Sequence, residues 1–172
     1  LGEKKPTVYT IAQSSTFKKS AINDRELVKA AASVLSEADL WVTWYGKRFD
    51  VPYLNSRLLK HAVGYLPPVP HIDGWEIARK KLKLNSNRLQ SVSEFLGLSS
   101  KTPVLGDQWI AATAGNKKGI KYVADHCARD VDILEQAYLN LRPLLIDHPY
   151  LTKLSKQYGN VKTPDNCRTC GV

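Results

Sequence analysis

Methionine is absent from all 172 residues, position 1 included. Translation ordinarily begins with one, so the stretch is expected to be a fragment or a processed piece of a longer protein. Cysteine is scarce, with three residues at 127, 167 and 170. An odd number, one of them inside a helical pattern, argues against a disulfide framework and suits a reducing compartment. No apolar run approaches the roughly 18 residues that a membrane helix takes, and no secretory signal pattern opens the chain. Acidic residues are in deficit too: 16 against 25 lysines and arginines, a formal charge of +9. That excess favours polyanionic partners, nucleic acid first, and says nothing of fold.

What is present is ordinary in bulk. A hydrophobic fraction of 43% and a charged fraction of 24% fit a globular chain long enough for one cored domain. Residues 7–12 (TVYTIA) read as a strand. Asn23 with Glu26 resembles a helix start, and Leu27, Val28, Ala31, Leu35 and Ala38 continue it as a stripe. Residues 39–44 are the next strand, and a proline-rich YLPPVPHID leads into a short extended piece ending near Asp73. A short helix over 75–82 follows. The next helix buries Leu89, Val92, Phe95 and Leu96 and stops at Gly97. A further short helix surrounds Trp109. The longest element spans about 117–141, with Ile120, Ala124, Cys127, Val131, Leu134, Tyr138 and Leu141 as its apolar stripe. Cys127 then reads as a small core residue, with His126 and Asp130, four apart, on the stripe's border. Strands alternating with helices make an α/β chain, a mixed sheet with helices on both faces.

The chemistry concentrates in WYGKRFDVPYLNSRLLK, residues 44–60. A β-branched and aromatic strand is broken by Gly46, and Pro52 stands in the first turn of a helix, where its missing N–H costs nothing. Asp50 is thereby held where strand gives way to helix, beside Phe49, with Lys47, Arg48 and Arg57 in the same segment. Two roles remain open for it at this point, a helix cap or a ligand for a metal-bound phosphate.

Asp50 behind an aromatic, the helix in SNRLQSVSEFLGL, and Asp130 four residues after His126 follow one another in an order that resembles the proofreading 3′–5′ exonuclease superfamily. Within it the chain is most similar to the exonuclease domains of family B DNA polymerases and to phage-type ribonuclease H-like proteins. GKRFDVPYL, residues 46–54, resembles the second half of their second motif, and HCARD, residues 126–130, their third, with His126 in the tyrosine's place. The motif-two asparagine would fall at Tyr45. The first motif, an aspartate–x–glutamate on the first strand, has no counterpart, because residues 7–12 hold no acid; the first strand is expected upstream of Leu1.

The resemblance implies a ribonuclease H-like fold over residues 1–148, followed by a basic tail at 149–172. It implies Asp50 and Asp130 as two of four carboxylates binding Mg²⁺ or Mn²⁺, with His126 orienting or deprotonating the attacking water. Phe49, Tyr45, Arg48, Lys81 and Lys83 would hold the strand by stacking and phosphate contacts. Cys167 and Cys170 resemble the first knuckle of a zinc ribbon, half of a four-ligand Zn²⁺ site. The expected activity is a metal-dependent 3′–5′ exonuclease on single-stranded or frayed ends, DNA in preference to RNA, in the cytoplasm of a bacterial, archaeal or phage-infected cell. With the first acidic motif missing, the fragment itself is expected to be inactive. The alternative is a non-catalytic nucleic-acid-binding module on the same fold.

Overall fold

Two short parallel strands anchor the molecule, and their side chains alternate between two apolar layers. β1 (Trp41–Thr43) pairs with β2 (His71–Asp73) in the register Trp41↔His71, Val42↔Ile72, Thr43↔Asp73. The computed structural model describes residues 2, 5–98, 105–145 and 149. Around the strands stand α1 (Arg25–Ser36), α2 (Asp50–Lys60), α3 (Gly74–Lys81), α4 (Leu89–Phe95), α5 (Gly106–Thr113) and α6 (Lys117–Leu141).

Successive strand residues point to opposite sides, and the core divides accordingly. Trp41 packs with Val28 of α1, Leu58 of α2 and Leu66, with Leu35 and Leu54 against them. Val42 and Ile72 face the other way, onto Ile77 and Ala78 of α3, Val92 of α4, and Tyr138 and Leu141 of α6. Helices therefore cover both faces, as the alternation of elements implied. Among the described residues the sheet is parallel only. No described helix is long and apolar enough to cross a membrane.

Most element positions follow from local signals. Pro52 sits in the first turn of α2, Gly97 ends α4 with φ +67, and α6 occupies 117–141 behind an Asn116 cap that accepts from the amides of Lys118 and Gly119.

Four expectations fail. Residues 7–12 form no strand: residues 6–10 run without ladder partners into a 3₁₀ turn at Ile11–Gln13, whose Gln13 side chain takes the Thr10 amide at 2.6 Å. A strand needs a neighbour for its backbone groups, and a side chain has taken that part here. Phe95 is 62% exposed, because the face of α4 that meets α6 is carried by Leu89 and Val92.

On α6 the expected stripe holds at its ends, where Ile120, Tyr138 and Leu141 are buried, but between them His126, Ile133 and Ala137 are buried one position round the helix from it. Cys127 and Val131 are consequently exposed, and Cys127 is no core residue. Packing decided the register: Trp109 of α5 lies edge-on over the His126 ring, centroids 6.3 Å apart. Finally, Arg57 does not serve the Asp50 end of α2. Its guanidinium is bound to Asp24 through both Nε and Nη2.

Candidate functional site

The turn between β1 and α2 is held from below by one buried carboxylate. Asp73, 2% exposed at the end of β2, accepts from the Tyr45 amide at 2.7 Å, the Lys47 amide at 3.1 Å and the Trp75 amide at 3.1 Å. It thus closes the turn and caps α3 at once. Its charge is met by backbone donors, the arrangement that makes a buried carboxylate tolerable.

Two glycines let the chain close this tightly. A Cβ on Gly46 would come within 2.5 Å of the Thr43 side chain, and one on Gly74 within 2.6 Å of the Trp44 ring. Tyr45 takes φ +66, a left-handed backbone that asparagine and glycine tolerate better than a bulky residue. That conformation gives a physical reason for an asparagine at this place in the motif that Tyr45 occupies.

The turn delivers Asp50 to the first position of α2, with its side chain at the surface. Partial desolvation raises its carboxyl above the ordinary range, and the neighbouring Asp73 charge adds to this, while its own backbone amide and His71 pull the other way. No described side chain donates a hydrogen bond to it. His71 stands close by with its Nε2 2.8 Å from Thr43 Oγ1, and burial together with Lys47 pushes its imidazole below the usual histidine value.

Around Asp50 lies an aromatic and cationic surface. Phe49 and Tyr53 stack in parallel, centroids 6.1 Å apart and planes within 6°, while 61% and 59% exposed. Tyr45 meets Trp75 edge-on at 4.9 Å, and Arg48 stacks over the same indole at 5.6 Å. Lys47 is tied to Glu76 at 3.1 Å. Lys81 ends α3 and Lys83 follows it; both face solvent, and neither makes an ion pair with a described residue.

His126 and Asp130 form a second pair, on α6, with Nε2 and Oδ2 3.8 Å apart. His126 is buried and Asp130 partly so. Trp44 joins the two regions: it precedes the turn and packs against the cluster that holds Ile133 and Leu134, one turn beyond Asp130.

The described residues contain no group of three or more His, Cys, Asp or Glu side chains able to hold a metal ion. Asp50 has Asp73 beside it, but the Asp73 oxygens are engaged by amides. These residues alone therefore do not complete an ion-binding set, and Cys167 and Cys170 lie outside the described residues. From sequence, Asp73 stands at a strand end from which it could approach a metal, and His71 carries no role. A carboxylate directly before Gly74 and a helix was the available signal, since that position caps.

Comparison with known proteins agrees with this architecture. The chain belongs to the RNase_H superfamily, whose model matches residues 4–141, and it carries a ribonuclease H-like fold with a nuclease-like domain. It is similar to a DNA polymerase of Methanocaldococcus jannaschii, 30% identical over 91 residues. That alignment takes in 41% of this chain and 6% of the polymerase, so the chain corresponds to a small part of that relative. No solved structure matches.

Proposed function

We propose that the domain is a metal-dependent 3′–5′ exonuclease module acting on single-stranded or frayed nucleic acid, DNA in preference to RNA. The observation that carries this reading is Asp50: a carboxylate at a strand–helix junction, raised in pKa, without a described side-chain donor, and flanked by exposed stacked aromatics. A carboxylate in that state gains most from a cation, which would offset both the desolvation and the Asp73 charge.

Asp50 and Asp130 are the proposed ligands for Mg²⁺ or Mn²⁺, which would stabilise the charge that develops on the scissile phosphate. Oxygen donors suit these ions. His126 would hold the attacking water's proton, and Phe49 with Tyr53 would stack the terminal bases. Tyr45 and Arg48 would line the same approach, with Lys81 and Lys83 further along α3. A Zn²⁺ site drawing on Cys167 and Cys170 would need two further ligands.

Degradation of a 3′-ended, end-labelled oligonucleotide at millimolar Mg²⁺ or Mn²⁺ tests the reading. The 172-residue chain is expected to stay at background. A chain lengthened by a strand with an aspartate–x–glutamate pair is expected to cleave, and Asp50→Asn or Asp130→Asn in that form to abolish cleavage. A lengthened chain that binds the strand without cutting it would instead favour the non-catalytic binding module.

A further inference from the structure

Trp75 is the meeting point of two arginines from different elements. Arg48, from the β1–α2 turn, lies over its indole at 5.6 Å, and Arg79, one turn further along α3, at 5.1 Å. Tyr45 closes the third side with its ring edge-on. Both guanidiniums are exposed, and neither is ion-paired among the described residues. Glu76, within electrostatic reach of Arg48, is hydrogen-bonded by Lys47. Cation–π attraction holds each guanidinium at the indole without using up its N–H donors. Two guanidiniums gathered on one aromatic bring a set of N–H donors suited to phosphate oxygens onto one patch of surface.

We infer that Arg48, Trp75 and Arg79 form a phosphodiester clamp that grips the backbone of a single strand as it leaves the Asp50 site along α3. The inference rests on the exonuclease reading for the direction of the strand and on the geometry above for the contact. Continuity supports it: Arg48 immediately precedes Phe49 and Asp50, so a strand whose terminal bases stack on Phe49 and Tyr53 has its next phosphates beside the clamp. Charge supports it as well, because Lys80, Lys81 and Lys83 extend the cationic line from Arg79 within a chain of net charge +9. Trp75 acts as a positioning residue, holding the guanidiniums at a small entropic cost.

The test is the salt dependence of binding, with fluorescein-labelled oligothymidylate and oligouridylate as separate probes. Each phosphate contact on a single strand contributes about 0.7 to the slope of log affinity against log salt. Arg48→Gln and Arg79→Gln are each expected to lower the slope by about 0.7 and the double variant by about 1.4, equally on both probes. Lys29→Gln, on α1 across the sheet, should leave it unchanged. Arg79→Lys and Trp75→Leu keep the charge but lose the guanidinium–indole contact; the expected result is an affinity roughly three-fold lower with the slope retained. Unchanged slopes in the arginine variants, or wild-type affinity in Trp75→Leu, would overturn the clamp. Absence of wild-type binding at low salt would overturn it together with the nucleic-acid reading. Clamp-dependent binding without cleavage in the lengthened chain would sink only the exonuclease.

Discussion

The two ends of α2 carry comparable groups in opposite conditions. At the C-terminal end Asp24, from the start of α1, accepts from Arg57 Nε at 2.6 Å, from Arg57 Nη2, and stands 2.6 Å from His61 Nε2. The Arg57 hydrogen bonds hold its carboxyl down at about 2, against desolvation that would raise it. At the N-terminal end Asp50 also has a histidine and a second carboxylate near it, yet its pKa moves up. One carboxylate is saturated with donors and ties two helices together. The other is held in place by its backbone and left under-neutralised. Residue type does not separate these two acids; the number of donors already committed to each does.

Removing the support beneath the open end should have the largest effect. Asp73→Ala takes the acceptor from three amides at once, and at about 1 kcal/mol per lost hydrogen bond the loss should reach about 3 kcal/mol. Urea unfolding measures it. A loss near zero would mean that the turn does not depend on Asp73.

The closed end comes next. Because the folded pKa of Asp24 lies below its ordinary 3.8, its contribution is complete above about pH 4 and disappears as pH falls through about 2. Asp24→Asn should cost about 1–2 kcal/mol at neutral pH, after allowance for solvent screening. It should also flatten that acid limb in a pH series of thermal melts. An acid limb identical to wild type would remove Asp24 from its origin.

Legibility from sequence followed the range of the forces involved. The Pro52 and Gly97 signals and the length of α6 are local, and each could be read before any contact was known. The Asp73 interactions with Tyr45 and Lys47 span 28 and 26 residues, and nothing in the spacing announces them. The middle of the α6 face departs from the expected stripe because a polar residue, His126, is buried under Trp109 while Val131 is left 50% exposed, although Ile120, Tyr138 and Leu141 are buried as expected. Periodicity counts apolar residues and is blind to that exchange. The strand read at 7–12 failed for a related reason: alternation describes a strand's faces and cannot supply its hydrogen-bonding neighbour. At the candidate site, the segment carrying Asp50 was legible from composition and order, whereas the clamp and the Asp73 support depend on tertiary contacts.

At the open end itself the expected change is small and of opposite sign. The raised pKa of Asp50 means that ionising it works against the fold, so lowering the pH through its folded pKa relieves a penalty. Asp50→Asn should therefore leave thermal stability unchanged or slightly higher. It should also remove any stabilisation that millimolar Mn²⁺ gives the wild type. A clear destabilisation would show that Asp50 is a structural cap after all.

The smallest effect is expected at Tyr45. Tyr45→Asn relieves a left-handed backbone that costs on the order of 1 kcal/mol but loses the edge contact with Trp75, worth about as much. Denaturation midpoints within experimental scatter of wild type are the expected outcome, and a large loss would assign the ring contact the greater weight.

The three amides gathered by Asp73 also set when this part of the molecule can form and how it opens. The turn has local hydrogen bonds of its own, from the Arg48 and Phe49 amides to the Tyr45 carbonyl, but its Tyr45 and Lys47 amides take their acceptor from the neighbouring strand and so wait for β1 and β2 to align. The same coupling acts in reverse. In native-state hydrogen exchange, the amides of Tyr45 and Lys47 should be protected as strongly as those of the strands, although they lie in a surface turn. The β1–α2 turn and the sheet would then be one cooperative unit, and the turn could not loosen without opening the centre of the domain.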